Sequence, residues 1–196
     1  MRQMHYSHDA GDDPGFAMAI SLANTWDIWF PDPERLNSTQ ALEEFLHDHG
    51  WESPPLIEEQ ELTGVRQLRS ELRRIFASES ASEAATLLRD LLAGLVVAPR
   101  LIVDEPSVGE VAVGFGPRPD ADLLERVRVV VGLGLAEALE RWGVARFRIC
   151  DADRCEDVFV DTSKNGRRRY CGVKCQNRVN VAALRERTAR AQQEQQ

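Results

Sequence analysis

The residues that can do chemistry in this chain are gathered towards its C-terminal end. Its four cysteines, Cys150, Cys155, Cys171 and Cys175, are spaced C-x4-C-x15-C-x3-C. Two close pairs of thiolates separated by about fifteen residues suit a tetrahedral zinc ion. Each pair supplies two ligands from one local turn, and the longer loop brings the pairs together. Four thiolates leave no open position for water, so the chemistry expected is structural, not catalytic: one Zn2+ that holds a small fold. The competing readings are weaker. Two disulfides need an oxidising compartment, a redox dithiol prefers C-x-x-C, and ordinary core cysteines would not crowd into a segment so poor in other apolar residues. Cys171 and Cys175 are four apart, which places them on one face of a helix start, where the helix dipole favours thiolate.

A basic run overlaps the ligands. Between Ser163 and Arg178 lie Lys164, Arg167, Arg168, Arg169, Lys174 and Arg178, with no acid. Guanidinium forks fit phosphate oxygens and the O6/N7 edge of guanine, and helix N-terminal amides take a further phosphate. The expected interface is duplex DNA, with Lys164 and the Arg167–Arg169 triplet on phosphates and Lys174 beside them. Asn177 and Arg178, or Gln176, are the side chains most able to read base edges, and Arg185, Arg187 and Arg190 follow along the helix. Quieter roles compete: Arg178 pairing with Asp161 or Glu156, Asn177 bonding a zinc sulfur, Asp161 and Ser163 shaping a turn, and Tyr170 filling the finger's core.

The charge balance agrees with this division. Residues 146–196 carry 12 Lys/Arg against 7 Asp/Glu, whereas residues 1–145 carry 12 against 25, and the whole chain of 196 residues is at −8. An acidic body repels DNA and leaves the basic segment as the contact.

The elements that must position these groups fall into two parts. Residues 1–15 are polar and expected to be a disordered tail. Ala17–Trp29 has a helical rhythm and stops at Pro31. Ser38 or Thr39 caps a helix running to His49 and Gly50. Pro54-Pro55 opens a long amphipathic segment with Leu56, Leu62, Val65, Leu68, Leu72, Ile75 and Phe76 at steps of three and four. Ser82-Glu83 starts another helix, through Leu95. Leu101–Asp104 and Glu110–Phe115 read as a hairpin turning at Pro106 and Gly109. Pro119-Asp120 leads into a helix carrying Leu123, Leu124, Val127, Val131, Leu135, Leu139 and Trp142, closed by Gly143; Gly132 and Gly134 inside it permit close packing. Around the cysteines, Arg146–Cys150 and Val158–Asp161 are candidate strands, Asn165-Gly166 a tight turn, and a helix runs from about Cys171. The fold class expected is mainly α with a small β-hairpin: a helical domain over 16–143, a four-cysteine finger (hairpin then helix) over 146–190, and a polar tail over 191–196.

The stretch from Ile149 to Arg178 resembles the CGNR zinc-finger family. It carries C-x4-C, then Phe159-Val-Asp-Thr-Ser-Lys-Asn, then Arg168-Arg-Tyr-Cys, then Cys175-Gln-Asn-Arg, so Gln176 stands where the family has Gly. Upstream, Ile20-Ser-Leu-Ala-Asn-Thr is similar to the L-x-x-x-N-T opening of the ABATE domain, and Leu68-Arg-Ser-Glu-Leu-Arg-Arg fits that domain's long helix. The resemblance implies a bacterial, stress-linked transcription regulator.

No catalytic motif stands out, so an enzyme is not expected. His5, His8, His47 and His49 lie on a tail or at a helix end and read as solvated or dipole-capping. Asn24, Trp26, Trp29 and Arg66 are the places to look for a small-molecule effector. A lone finger gives modest specificity, so a homodimer is expected. No apolar run is long enough to span a membrane, and no secretory signal opens the chain. The expected setting is cytoplasmic, nucleoid-associated when bound to DNA. Rival functions are an adaptor whose finger binds an acidic partner such as RNA polymerase, and an RNA-binding protein.

Overall fold

The computed structural model describes residues 13–51, 56–103 and 111–193. His5, His8, Pro54-Pro55 and the hairpin turn with Pro106 and Gly109 lie outside the described residues. The chain runs through α1 (Pro14–Ala23), α2 (Thr39–Asp48), α3 (Glu59–Phe76), α4 (Ala81–Leu92), β1 (Val97–Val103), β2 (Val111–Pro117), α5 (Leu123–Trp142), β3 (Phe147–Ile149), β4 (Val158–Val160) and α6 (Val173–Gln193). The strands form two antiparallel hairpins, β1–β2 and β3–β4.

Capping chemistry fixes most boundaries. Ser38, Ser80 and Asp122 each accept a backbone N–H from the first turn of α2, α4 and α5, replacing bonds that helix geometry leaves unmade. Glu58 and Glu61 close a reciprocal capping box on α3. Three expectations are corrected. The first helix occupies Pro14–Ala23, not Ala17–Trp29: Asp13 caps it, Pro14 sits in its first turn, and Asn24 ends it. Residues beyond Asn24 are tied into a loop by the Trp26–Glu34 bridge and the Asp27 N–H to Pro33 carbonyl bond. The fourth helix begins one residue earlier than Ser82 because Ser80 is the cap, and it stops at Leu92 ahead of Gly94, whose φ is +76°. Leu56 is exposed and outside the buried face of α3. His49 caps the end of α2 and its ring Nδ1 lies 2.8 Å from the Phe45 carbonyl, while His47 is exposed.

The main core gathers Met18, Ala19 and Leu22 of α1, Leu62, Val65, Leu68, Leu72 and Ile75 of α3, and Val127, Val131 and Leu135 of α5. Helices α1 and α5 meet backbone to backbone. A Cβ on Gly134 would lie 2.3 Å from the Phe16 amide nitrogen, so only glycine fits there.

The small hairpin β3–β4 is not an appendage. Phe147, Val158 and Val160 belong to the same core as the helices, and the Phe147 ring lies 5.0 Å from that of Phe76 on α3. Strand alternation turns Phe159 to the opposite side, where it packs with the cysteines. One three-residue strand thus serves two cores.

Candidate metal centre and nucleic-acid interface

The cysteine site is built from two turns that hang on this hairpin. The first follows β3: Cys150 and Cys155 bracket a knuckle in which the Cys155 N–H donates to the Ala152 carbonyl at 2.9 Å and Arg154 takes a left-handed conformation, φ 58°. The second ends the loop after β4. Asp161, fully buried, accepts the Ser163 N–H at 2.9 Å and the Arg168 N–H at 2.8 Å. Burial alone would raise its pKa; the bonds from Ser163 and Arg168 and the charge of Arg146 prevail and hold it below the usual carboxylate range. Arg146 also donates to the carbonyls of Asp161 and Ser163. Asp161 and Ser163 therefore shape the turn, with Gly166 at φ +60°. The helix expected from about Cys171 begins two residues later, at Val173, so Cys171 stands just ahead of α6 and Cys175 lies in its first turn.

The four sulfurs lie within 4.8 Å of one another. Sγ–Sγ distances are 3.5 Å for Cys171–Cys175, 3.6 Å for Cys155–Cys175 and 3.8 Å for Cys155–Cys171. Ligands about 2.3 Å from a tetrahedral zinc are about 3.8 Å apart, so the cluster has the size of the ion's shell. The cysteines are free thiols, not disulfides. Their environment is that of a cation site. Burial pushes the Cys155 thiol up to about 12 and that of Cys171 higher still, with the neighbouring Asp157 and cysteine sulfurs adding to it. Burial raises Cys150 too, but backbone N–H groups of Cys171 and Ala152 outweigh it and lower its pKa. A bound zinc ion supplies the positive charge that makes four adjacent thiolates tenable.

The structure separates the basic residues into two groups. Arg168 is engaged within the finger: Nε donates to the Tyr170 carbonyl at 2.9 Å, Nη2 to the Cys171 carbonyl, and the guanidinium lies 4.8 Å from the Phe159 ring. Arg169 forms an exposed ion pair with Asp151 at 2.8 Å. Arg178 turns back to the body. Its Cζ lies 3.6 Å from the centre of the Trp29 ring, and Nη2 sits 3.6 Å from the Cys175 sulfur. The expected pairings of Arg178 with Asp161 or Glu156 are not formed, and the sulfur contact expected of Asn177 is made by Arg178. Lys164, Arg167, Lys174, Gln176, Asn177 and Arg185 are all exposed. Tyr170 packs against the cysteine cluster.

The four residues considered for an effector each hold part of the frame. The Asn24 side chain donates to the Val158 carbonyl at 2.9 Å and accepts the Val158 N–H at 2.8 Å, pairing with β4 as another strand would. Arg66 donates twice to the Leu36 carbonyl. Trp26 lies beneath Arg69, and Trp29 is flanked by Arg178 and, at 5.7 Å, by Arg154. Arg69 itself is buried, bonded to Thr25 and in a bidentate pair with Glu34. Sequence reasoning missed Arg73, which donates to the Ala23 carbonyl at 3.0 Å and to the Glu156 carbonyl at 2.8 Å, joining the end of α1 to the finger. No local pattern announces a bond across 83 residues.

Two family descriptions match. CGNR zinc finger covers residues 146–188, and ABATE, described as “Putative stress-induced transcription regulator”, covers residues 17–139. The chain belongs to the ABATE family, with a CGNR zinc finger following. No curated protein matches it. In this ABATE chain the asparagine and threonine of the opening motif have visible work: Asn24 holds the finger's strand, and Thr25 receives Arg69. The finger binds one structural zinc ion through Cys150, Cys155, Cys171 and Cys175. Gln176, at the family's Gly position, is exposed, and its N–H donates to the Gly172 carbonyl at 3.1 Å, so a side chain fits without obstruction. Among the described residues no helix is long and apolar enough to cross a membrane.

Proposed function

We propose that this protein is a transcription regulator that docks on duplex DNA through the zinc-fixed start of α6 and the loop before it. The observation that carries the reading is the exposed set Lys164, Arg167, Lys174 and Arg185 around the exposed amides of Gln176 and Asn177. Lys164 and Arg167 would meet phosphates on the loop and Lys174 and Arg185 on the helix, while Gln176 and Asn177 are the side chains suited to base edges. Arg169 can exchange its exposed Asp151 partner for a phosphate, since such surface pairs are weak. Arg168 and Arg178 instead set the shape of the finger and its seat on the body. The helical domain positions the finger and pairs two chains, and an effector acting at Trp26 or Trp29 would reach the finger through Arg178.

The test is fluorescence anisotropy of the zinc-loaded protein with random-sequence duplex DNA over a salt series. Each phosphate contact adds about 0.9 to the slope of log affinity on log salt, so Lys164→Ala with Arg167→Ala should lower it by about 2. An unchanged slope removes that loop from the interface. Absence of binding at low salt, with zinc confirmed, favours a finger that contacts an acidic protein such as RNA polymerase. Displacement of DNA by RNA at lower concentration favours RNA as the partner.

A further inference from the structure

The β1–β2 ribbon carries an apolar face that no other described residue covers. In its register Pro99 opposes Phe115 and Leu101 opposes Val113, so these four and Val97 share one face. All five are exposed, Leu101 at 74% and Val113 at 65%. On the other side β2 packs on α5, and Arg100 folds across Gly116 to donate to the Pro117 carbonyl. With the other face already on α5, this one is left to a partner, and an unbroken apolar patch of this kind marks an interaction site.

We infer that two copies of the chain pair through this face, related by a two-fold axis with their ribbons stacked. This names the surface for the homodimer of the proposed function and rests on that pairing. The face is made of Val97, Pro99, Leu101, Val113 and Phe115, none of them charged, so the identical face of a second copy complements it without any matching of charge. Its exposed area is about 500 Å² per chain, which gives about 1,000 Å² in a pair, the size at which specific interfaces begin. Pro99 sits inside a paired strand and lacks an N–H, so its nitrogen faces the open edge of β1 and weakens edge-to-edge addition there. Stacking of the faces is what remains.

Sedimentation equilibrium of the full zinc-loaded chain from about 1 to 100 µM tests this, a range chosen to bracket an interface of that size. The wild type should reach twice its 22.0 kDa mass. Leu101→Glu and Phe115→Glu, at exposed positions, should weaken pairing at least about 100-fold, as expected for a charge placed at the centre of an interface. Both should keep the wild-type helical signal and one zinc per chain. Leu184→Glu on the exposed part of α6 should leave pairing intact. A wild type that stays monomeric throughout overturns the pairing itself and leaves the face to another partner. A dimer that survives both ribbon substitutions, or that Leu184→Glu breaks, overturns the surface while leaving the pairing.

Discussion

Replacing Asn24 by alanine should destabilise the whole protein, although the residue touches neither zinc nor any expected DNA contact. Its amide makes two bonds with Val158, at 2.9 and 2.8 Å, and Val158 is 1% exposed in the shared core. Alanine removes both bonds and leaves a backbone N–H and a carbonyl that water reaches only if β4 moves. Each net bond is worth about 1 kcal/mol, and each group left unpaired adds to that, so the expected loss is about 2–4 kcal/mol. At this chain length about 1 kcal/mol shifts the midpoint by about 2–4 °C, which puts the fall in Tm at about 4–16 °C. Thermal unfolding followed by circular dichroism reads the loss, and amide exchange at Val158 locates it. Asn24→Asp sharpens the test, because a carboxylate still accepts the Val158 N–H but sets its second oxygen against the Val158 carbonyl; at neutral pH it should not recover wild-type stability. The reasoning is refuted if Asn24→Ala costs less than about 0.5 kcal/mol with Val158 exchange unchanged, since the strand would then be held by packing alone.

Two further outcomes follow from the same architecture. Chelation of zinc should free the amides of residues 161–175 to exchange within minutes while Phe147 and Val158 stay protected, because those two are packed in the helical core; simultaneous loss of protection everywhere would show a single cooperative unit. Glu137 on α5 has its pKa raised to about 7, by burial first and then by Asp13 and Glu140. An acid that binds its proton more tightly when folded makes stability fall as pH rises, here between about 4.5 and 7. The side chain is exposed and solvent screens its interactions, so the effect is about 1 kcal/mol. Glu137→Gln should raise Tm by about 2–4 °C at pH 8 and leave it unchanged at pH 4.5; an equal gain at both values would assign the effect to packing.

What could be read from the sequence divides along physical lines. The zinc ligands were legible because coordination demands one residue type at narrow spacings. Helices α2, α3 and α5 were legible because periodicity and caps are local signals, and the start of α4 was misplaced by only one residue. The body's grip on the finger was not legible. Asn24 and Val158 are 134 residues apart, and Trp29 and Arg178 are farther still; neither pair leaves a trace within any window. Arg178 shows the consequence. Its place three residues after a zinc ligand fits a base reader equally well, and only the fold reveals the indole ring that its guanidinium covers, a contact worth about 0.5–2 kcal/mol. The Val158-Phe-Val alternation did hold a clue, since both faces are apolar, and a strand buried on both sides must have two neighbours.

These ties also explain how a finger this small can present a defined surface. Asn24 on β4, Arg73 across Ala23 and Glu156, and Trp29 against Arg178 all grip it from beside the end of α1. The finger therefore does not swing on a linker, and its exposed side meets a partner already oriented, which lowers the ordering cost of binding. Zinc then has a narrower task than folding the whole segment: it fixes the loop and the first turn of α6 against a hairpin the body already holds. Gln176 fits that division. At an exposed position in a regular helix, glutamine in place of glycine adds about 0.5 kcal/mol of helix propensity and an amide able to bond a base edge. The substitution strengthens the element that zinc anchors without disturbing either the metal or the seat on the body.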